Sequence, residues 1–458
     1  MSIHSREDRY LPVRPDLNQL RRQAKDLLSA IRLGQSAALE EFRKFHPQGD
    51  FLIGRMKSQP GTSANRTQDT RASEPDSSPL NLIKLADVQL ALARSYGAPS
   101  WPRLVQACKL IDAIWRDDID AVREIVRQDP KLLNENALIR ESNWGPPLSY
   151  AANLGRDGII ELLHQLGARD LEHAMDRAVM QSKIGTAAML YKLLGSPPPP
   201  PGSLAGPAYT LSVSGTAFAL EIGSPVCDAD GKRLAPVDVV LETDSRNPAA
   251  KHEILELYAQ HGLALPDTPV MALHRGRIDL LEEYLRRDPR LLQRTFSHEE
   301  IYPPELGCHD EIQATQGTPL KGSTLLHLCV DYDEFEIAQW LLEQGMDVNA
   351  AAAVDANGFG GHTALFCTVV SQPNFWMNYQ NRPQTAPFTE LLLDHGADPN
   401  IRASLRKKLH PGYGPKYDVE TMHEYRDITA LSWGRRFHAK VFVSEPALRL
   451  IAERGGRE

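Results

Sequence analysis

The densest run of groups able to do acid–base or metal chemistry is residues 296–322, FSHEEIYPPELGCHDEIQATQGTPLKG. It carries His298, Glu299, Glu300, Tyr302, Glu305, Cys308, His309, Asp310 and Glu311. Imidazoles and carboxylates are the groups that ligate transition metals and move protons near neutral pH. An enzyme or metal-binding protein built here would use His298, Glu299, His309 and Asp310. The spacing matches no standard zinc pattern: His298-Glu299-Glu300 is not H-E-x-x-H, and adjacent Cys308 and His309 hinder joint ligation of one ion. The expectation is therefore a solvated acidic loop held by Pro303 and Pro304, with no metal and no cofactor. As a contact for a partner protein it is the strongest single candidate, with His298, Glu299, Tyr302, His309 and Asp310 as the contacting residues.

Three further stretches have chemical character. Asp355-Ala356-Asn357-Gly358 begins like a calcium loop, but Phe359-Gly360-Gly361-His362 supply neither the remaining oxygen ligands nor a late Glu. A glycine-rich turn finger fits better, with Asp355 in the turn and an exposed Phe359 at its tip to anchor a partner. Residues 375–379, FWMNY, place Trp376 and Tyr379 inside an insertion, where they pack over neighbouring helices or form a recognition patch. Residues 402–417, RASLRKKLHPGYGPKY, are basic and interleaved with aromatics, and read as a solvated loop. No G-x-S-x-G, phosphate-binding loop or dinucleotide fingerprint occurs, so no catalytic residue is assigned.

The elements that must position these stretches show internal repetition. Residues 119–133 read IDAVREIVRQDPKLL and residues 278–292 read IDLLEEYLRRDPRLL, a duplicated helix ended by Asp-Pro. The most regular unit is 324–349, TLLHLCVDYDEFEIAQWLLEQGMDVN: two short helical patterns joined by a polar turn. Its opening T-L-L-H and closing L-L-E-Q-G-M-D-V-N resemble one ankyrin repeat. The opening recurs at Thr268, Thr363 and Thr429, and the closing glycine at Gly345 and Gly396. Threonine suits the N-cap of a first helix, and glycine the left-handed end of a second.

The resemblance implies an all-α solenoid of helical hairpins over residues 107–458, about eight or nine units with several degenerate, interrupted by long loop insertions. It also implies binding of another protein through turn tips, the concave surface and insertions, and a structural, inter-repeat role for His327. Residues 1–106 are expected to form a small helical domain, split by a disordered insertion at 54–79 that is nearly free of large apolar groups. They resemble the helical leader of some bacterial ankyrin-repeat proteins. A net charge of −8 gives no support to a nucleic-acid partner. Five scattered cysteines argue against a disulfide framework, and no run of about 18 apolar residues occurs. Together these lead to the expectation of a cytoplasmic, non-catalytic scaffold.

Overall fold

The computed structural model describes residues 9–58, 82–243, 246–308, 317–371, 384–409, 421–437 and 440–458. The chain divides into two compact units, one of residues 1–178 with 183–197 and one of residues 179–182 with 198–458.

The first unit opens with four helices: α1 (Leu17–Arg32), α2 (Ser36–Phe45), α3 (Gly49–Ser58) and α4 (Leu85–Ser95). Asp16 caps α1, its carboxylate accepting from the Asn18 amide at 2.7 Å, and the apolar stripe Leu20, Ala24, Leu28, Ile31 is buried. Helix α3 runs through Ser58, so the first five residues of the expected disordered insertion are helical; the remainder lies outside the described residues. Three hairpins follow: α5 (Trp101–Trp115) with α6 (Ile119–Gln128), α7 (Pro147–Leu154) with α8 (Asp157–Gln165), and α9 (Leu171–Met180) with α10 (Ile184–Leu193). Ser100 caps α5 and Pro102 sits in its first turn. Because α5 continues unbroken through residues 106 and 107, the leading helices and the first hairpins share one unit.

The second unit stacks further hairpins: α11 (Ala205–Tyr209) with α12 (Val213–Glu221), α13 (Val237–Glu242) with α14 (Pro248–Gln260), and α15 (Pro269–His274) with α16 (Ile278–Arg287). A single helical turn, α17 (His298–Ile301), precedes α18 (Leu325–Tyr332) with α19 (Phe335–Glu343) and α20 (Ala364–Val369) with α21 (Pro387–Asp394). A two-stranded antiparallel hairpin, β1 (Ala403–Leu409) and β2 (Thr421–Ile428), then leads into α22 (Ala430–Arg436) and α23 (Glu445–Glu453).

Burial explains the layering. Every residue of α18 is buried, whereas α19 buries Ile337, Ala338, Leu341 and Leu342 and leaves polar residues outside. Helix α18 packs on α20, and α20 on α22, so each first helix is covered by its successors. Two of the four signature threonines cap their helices, Thr268 accepting from the Met271 amide and Thr429 from the Ser432 amide, both at 3.2 Å, whereas the Thr324 and Thr363 side chains accept no cap bond. Gly345 takes φ +89° with open space around it, so its requirement is backbone conformation alone.

Strand β1 corrects the expectation of a loop for residues 403–409, while 410–417 lie outside the described residues; the β1–β2 pair is the one departure from helix among the named elements of the described residues. Ala403, Leu405 and Lys407 of β1 and Tyr425 of β2 are buried, while Arg406 and Glu424 pair on the other face. The register slips at Ala403/Leu405, where Asp427 adopts φ +49°. Tyr425 lies edge-on to the buried Trp433 at 4.8 Å, and the Trp433 indole donates to Thr318 Oγ1 at 3.0 Å.

Candidate partner-binding face

The stretch before α18 is built rather than loose. Ser297 caps α17, accepting from the Glu300 amide at 3.3 Å, while the Glu300 carboxylate accepts from the Ser297 amide at 2.8 Å. The turn buries Ile301, Leu306 and Cys308. The expected solvated acidic loop is thus, from 296 to 308, a packed turn anchored by apolar side chains. Tyr302 is only 5% exposed and its hydroxyl accepts from Tyr332 at 3.2 Å, so it is an internal strut and not a surface contact. The His298 ring lies against Tyr302 at 5.1 Å, and Glu299 is exposed. His309 and Asp310 lie outside the described residues, as do Trp376 and Tyr379.

His327 ties α18 to the next unit. Its Nδ1 faces the Thr324 hydroxyl at 2.9 Å, and its Nε2 donates to the His362 carbonyl at 2.9 Å. Burial pushes its pKa down to about 4, and burial with the neighbouring His327 pushes that of His362 to about 3. Both rings are therefore neutral at physiological pH. This is the inter-repeat role the sequence implied.

The finger at 351–362 folds on its own aspartate. Asp355 Oδ1 accepts from the amides of Asn357 at 2.8 Å and Phe359 at 3.0 Å, and Oδ2 accepts from Arg406 at 2.6 Å. The Phe359 and Asn357 amides, with Arg406, hold its pKa below the ordinary carboxylate range. That carboxylate is fully engaged. Phe359 is not an exposed anchor: it is 6% exposed, with the guanidinium groups of Arg406 and Arg426 each 4.2 Å from its ring centroid. The exposed apolar residue of the finger is Val354, at 62%.

Backbone bonds join these pieces into one row. The Gly322 amide donates to the Phe296 carbonyl at 2.9 Å, the Ala353 amide to Gly322 at 2.8 Å, and the Gly361 amide to Ala352 at 3.0 Å. Gly360 then exchanges bonds with Ser404 of β1, at 2.7 and 3.2 Å. A Cβ on Gly360, whose φ is +121°, would sit 2.1 Å from the Ala353 carbonyl oxygen, so the close approach demands glycine. Along this row, Val354 and, at 47%, Met422 of β2 are the large apolar side chains left in solvent.

Beneath the repeat lies a charged cluster that sequence reasoning missed. Lys251 Nζ is 2.8 Å from Glu334, and His252 Nε2 is 2.9 Å from both of its oxygens. Lys251 also reaches His274 Nδ1 at 3.2 Å and lies 4.7 Å from the Tyr332 ring centroid, with Arg246 at 4.9 Å. Arg246 donates to the Asp331 carbonyl at 2.8 Å and its carboxylate at 3.2 Å. Burial draws Lys251 below its usual range, opposed by Glu334. For Glu334, burial pushes up, but the Lys251 ammonium and the His252 bond outweigh it and hold the carboxyl low. The cluster pins the 331–334 turn to α14. The adjacent Lys251-His252 in a degenerate unit was the only signal, and no spacing rule connects it to Glu334.

The first unit gathers Ser149, Asp170 and His173, the residue types of an acyl-transfer triad. Ser149 Oγ donates to Asp170 Oδ2 and stands 2.8 Å from His173 Nδ1. The aspartate therefore binds the serine and not the histidine, so Asp170 does not orient the ring as the acid of a triad would. Ser149 is fully buried at the position His327 holds in its own unit, and the arrangement ties neighbouring hairpins. Among the described residues no group of His, Cys, Asp and Glu could hold a metal ion. No helix there is long and apolar enough to cross a membrane.

Residues 321–353 match the family model described as ankyrin repeat. Among solved structures, the human ASB11 ankyrin repeat domain is similar over 68% of this chain and 99% of that one, at 14% identity and a TM-score of 0.25. No curated protein matches the chain.

Proposed function

We propose that this chain, whose residues 321–353 match the ankyrin repeat model, is a scaffold that binds another protein across the row running from Phe296 to β2. The observation that carries this reading is the backbone-bonded row itself. It presents an edge whose large apolar side chains in solvent, among the described residues, are Val354 and Met422. Rigid presentation favours association, because little ordering entropy is lost on binding. His298 and Glu299 at one end, and Trp376 and Tyr379 by residue type, complete the proposed contact. The site of action proposed is the cytoplasm.

The test is crosslinking–mass spectrometry in the native cell, followed by capture with variants. Crosslinks to one partner through Lys321 and Lys408, and loss of capture by about tenfold or more in Val354→Asp with Met422→Asp, are the expected results. A partner whose crosslinks fall elsewhere, or capture unchanged in the double variant, overturns the reading.

A further inference from the structure

Helix α23 carries Glu445, Arg449 and Glu453, which four-residue spacing places on one face. All three are exposed, and none forms an ion pair or hydrogen bond with any described residue. Other exposed charges of the chain do pair at this spacing, as Arg287 does with Glu283 at 2.8 Å and Arg116 with Asp112 at 3.0 Å. Beside the unpaired stripe is an open groove of about 370 Å³, also lined by Arg435, Lys440, Leu448 and Ala452. The two flanking cations are engaged: Lys440 donates to the Gly434 and Arg435 carbonyls, and Arg435 pairs with Glu458. Leu448 is the buried floor, and the exposed Ala452 offers no bulk against a close approach.

We propose that this face docks a second copy of the chain, α23 lying antiparallel to α23 across a two-fold axis that crosses the exposed stripe midway between Arg449 and Glu453. A two-fold contact is self-complementary, so residues equally spaced on either side of the axis face each other. With the axis midway between them, Arg449 of one copy meets Glu453 of the other, and the reverse, giving two opposite-charge contacts at the middle. An axis at Arg449 would instead oppose Arg449 to Arg449 and Glu445 to Glu453. The charge order thus selects one register and rejects its neighbour. The contact is narrow, mostly polar and salt-sensitive, which makes a weak, reversible dimer. This proposal is independent of the partner-binding row.

Sedimentation velocity of the full chain at low and high salt tests it. A concentration-dependent dimer that weakens at high salt is expected. Arg449→Glu and Glu453→Arg should each weaken it about tenfold or more, and the double variant should restore it, since the reciprocal pair is re-formed with its signs exchanged. Arg449→Gln and Glu453→Gln serve as milder variants, and an unchanged Tm confirms that each is folded. A chain that stays monomeric at about 200 µM in low salt overturns the proposal. So does a dimer indifferent to the single reversals, or a double variant no better than either.

Discussion

Glu334→Ala is the perturbation whose consequence follows most directly from the structure. The substitution leaves Lys251, 5% exposed, without its carboxylate partner, beside the Tyr332 ring, the Arg246 cation and a His274 held neutral by burial, and removes the acceptor of His252. Removing one partner of a buried, hydrogen-bonded ion pair costs about 3–5 kcal/mol, because the remaining charge stays desolvated. For a unit of this size that corresponds to a fall in Tm of about 10 °C. Replacing both charges by apolar groups, Lys251→Met with Glu334→Leu, removes the desolvation on each side and should recover most of the loss. Stacked hairpins need not unfold in one step, so the decisive assay is hydrogen exchange of the α18 and α19 amides, alongside denaturant unfolding. Exchange should accelerate at the 331–334 turn in the single variant and return toward wild type in the double. A loss below about 1 kcal/mol for Glu334→Ala would show that Lys251 finds water or another anion, and that the cluster does not pin the turn. A double variant as unstable as the single would refute the desolvation reasoning.

Other consequences follow from neighbouring parts. His327 has a folded pKa near 4 against an ordinary 6.5, so the unfolded chain binds its proton first. Its contribution, about 3 kcal/mol at most, is fully present above pH 6.5 and lost as pH falls from 6.5 to 4. His327→Gln should reduce the pH slope of the unfolding free energy over that window by about one proton, His362 keeping its own share, and an unchanged slope in denaturant titrations would contradict the assignment. Gly360→Ala should open the 351–362 finger at a cost of at least about 2 kcal/mol, read as faster exchange of the Gly361 and Phe359 amides; wild-type protection there would mean that the close approach to Ala353 is not real. Asn349 bridges to the next unit, donating to the Gly396 carbonyl at 3.2 Å and accepting from the Asp398 amide at 2.8 Å. Asn349→Ala should cost about 1–2 kcal/mol, measured by denaturant midpoint, with no change in the spectrum of the folded state.

Much of the frame was legible in the residues. Thr268, Thr429 and Gly345 act through local rules of capping and left-handed termination, and such rules need only a few neighbouring residues. The buried length of α18 is only partly legible, because its apolar run is interrupted by the buried His327 and Asp331, whereas the duplicated Asp-Pro ends of α6 and α16 follow from proline's effect on the residue before it. The candidate face was less legible, because its chemistry depends on partners distant in sequence. Phe359 looked like a free anchor since nothing local could cover it; Arg406 and Arg426 come from a hairpin some 50 residues onward. The strands of that hairpin were hidden by Lys407, a charge that faces inward and breaks the expected alternation. Asp355 resembled an ion ligand until its own turn and Arg406 took its oxygens. Lys251 and Glu334 meet only because stacking brings α14 beneath the 331–334 turn, and burial there turns an ordinary surface pair of residue types into a charge pair that neither can leave. The amino-acid order determined the helices, their caps and the repeat; the stacking decided which charged and aromatic side chains remain available to a partner, because desolvation and long-range pairing are properties of the assembled fold.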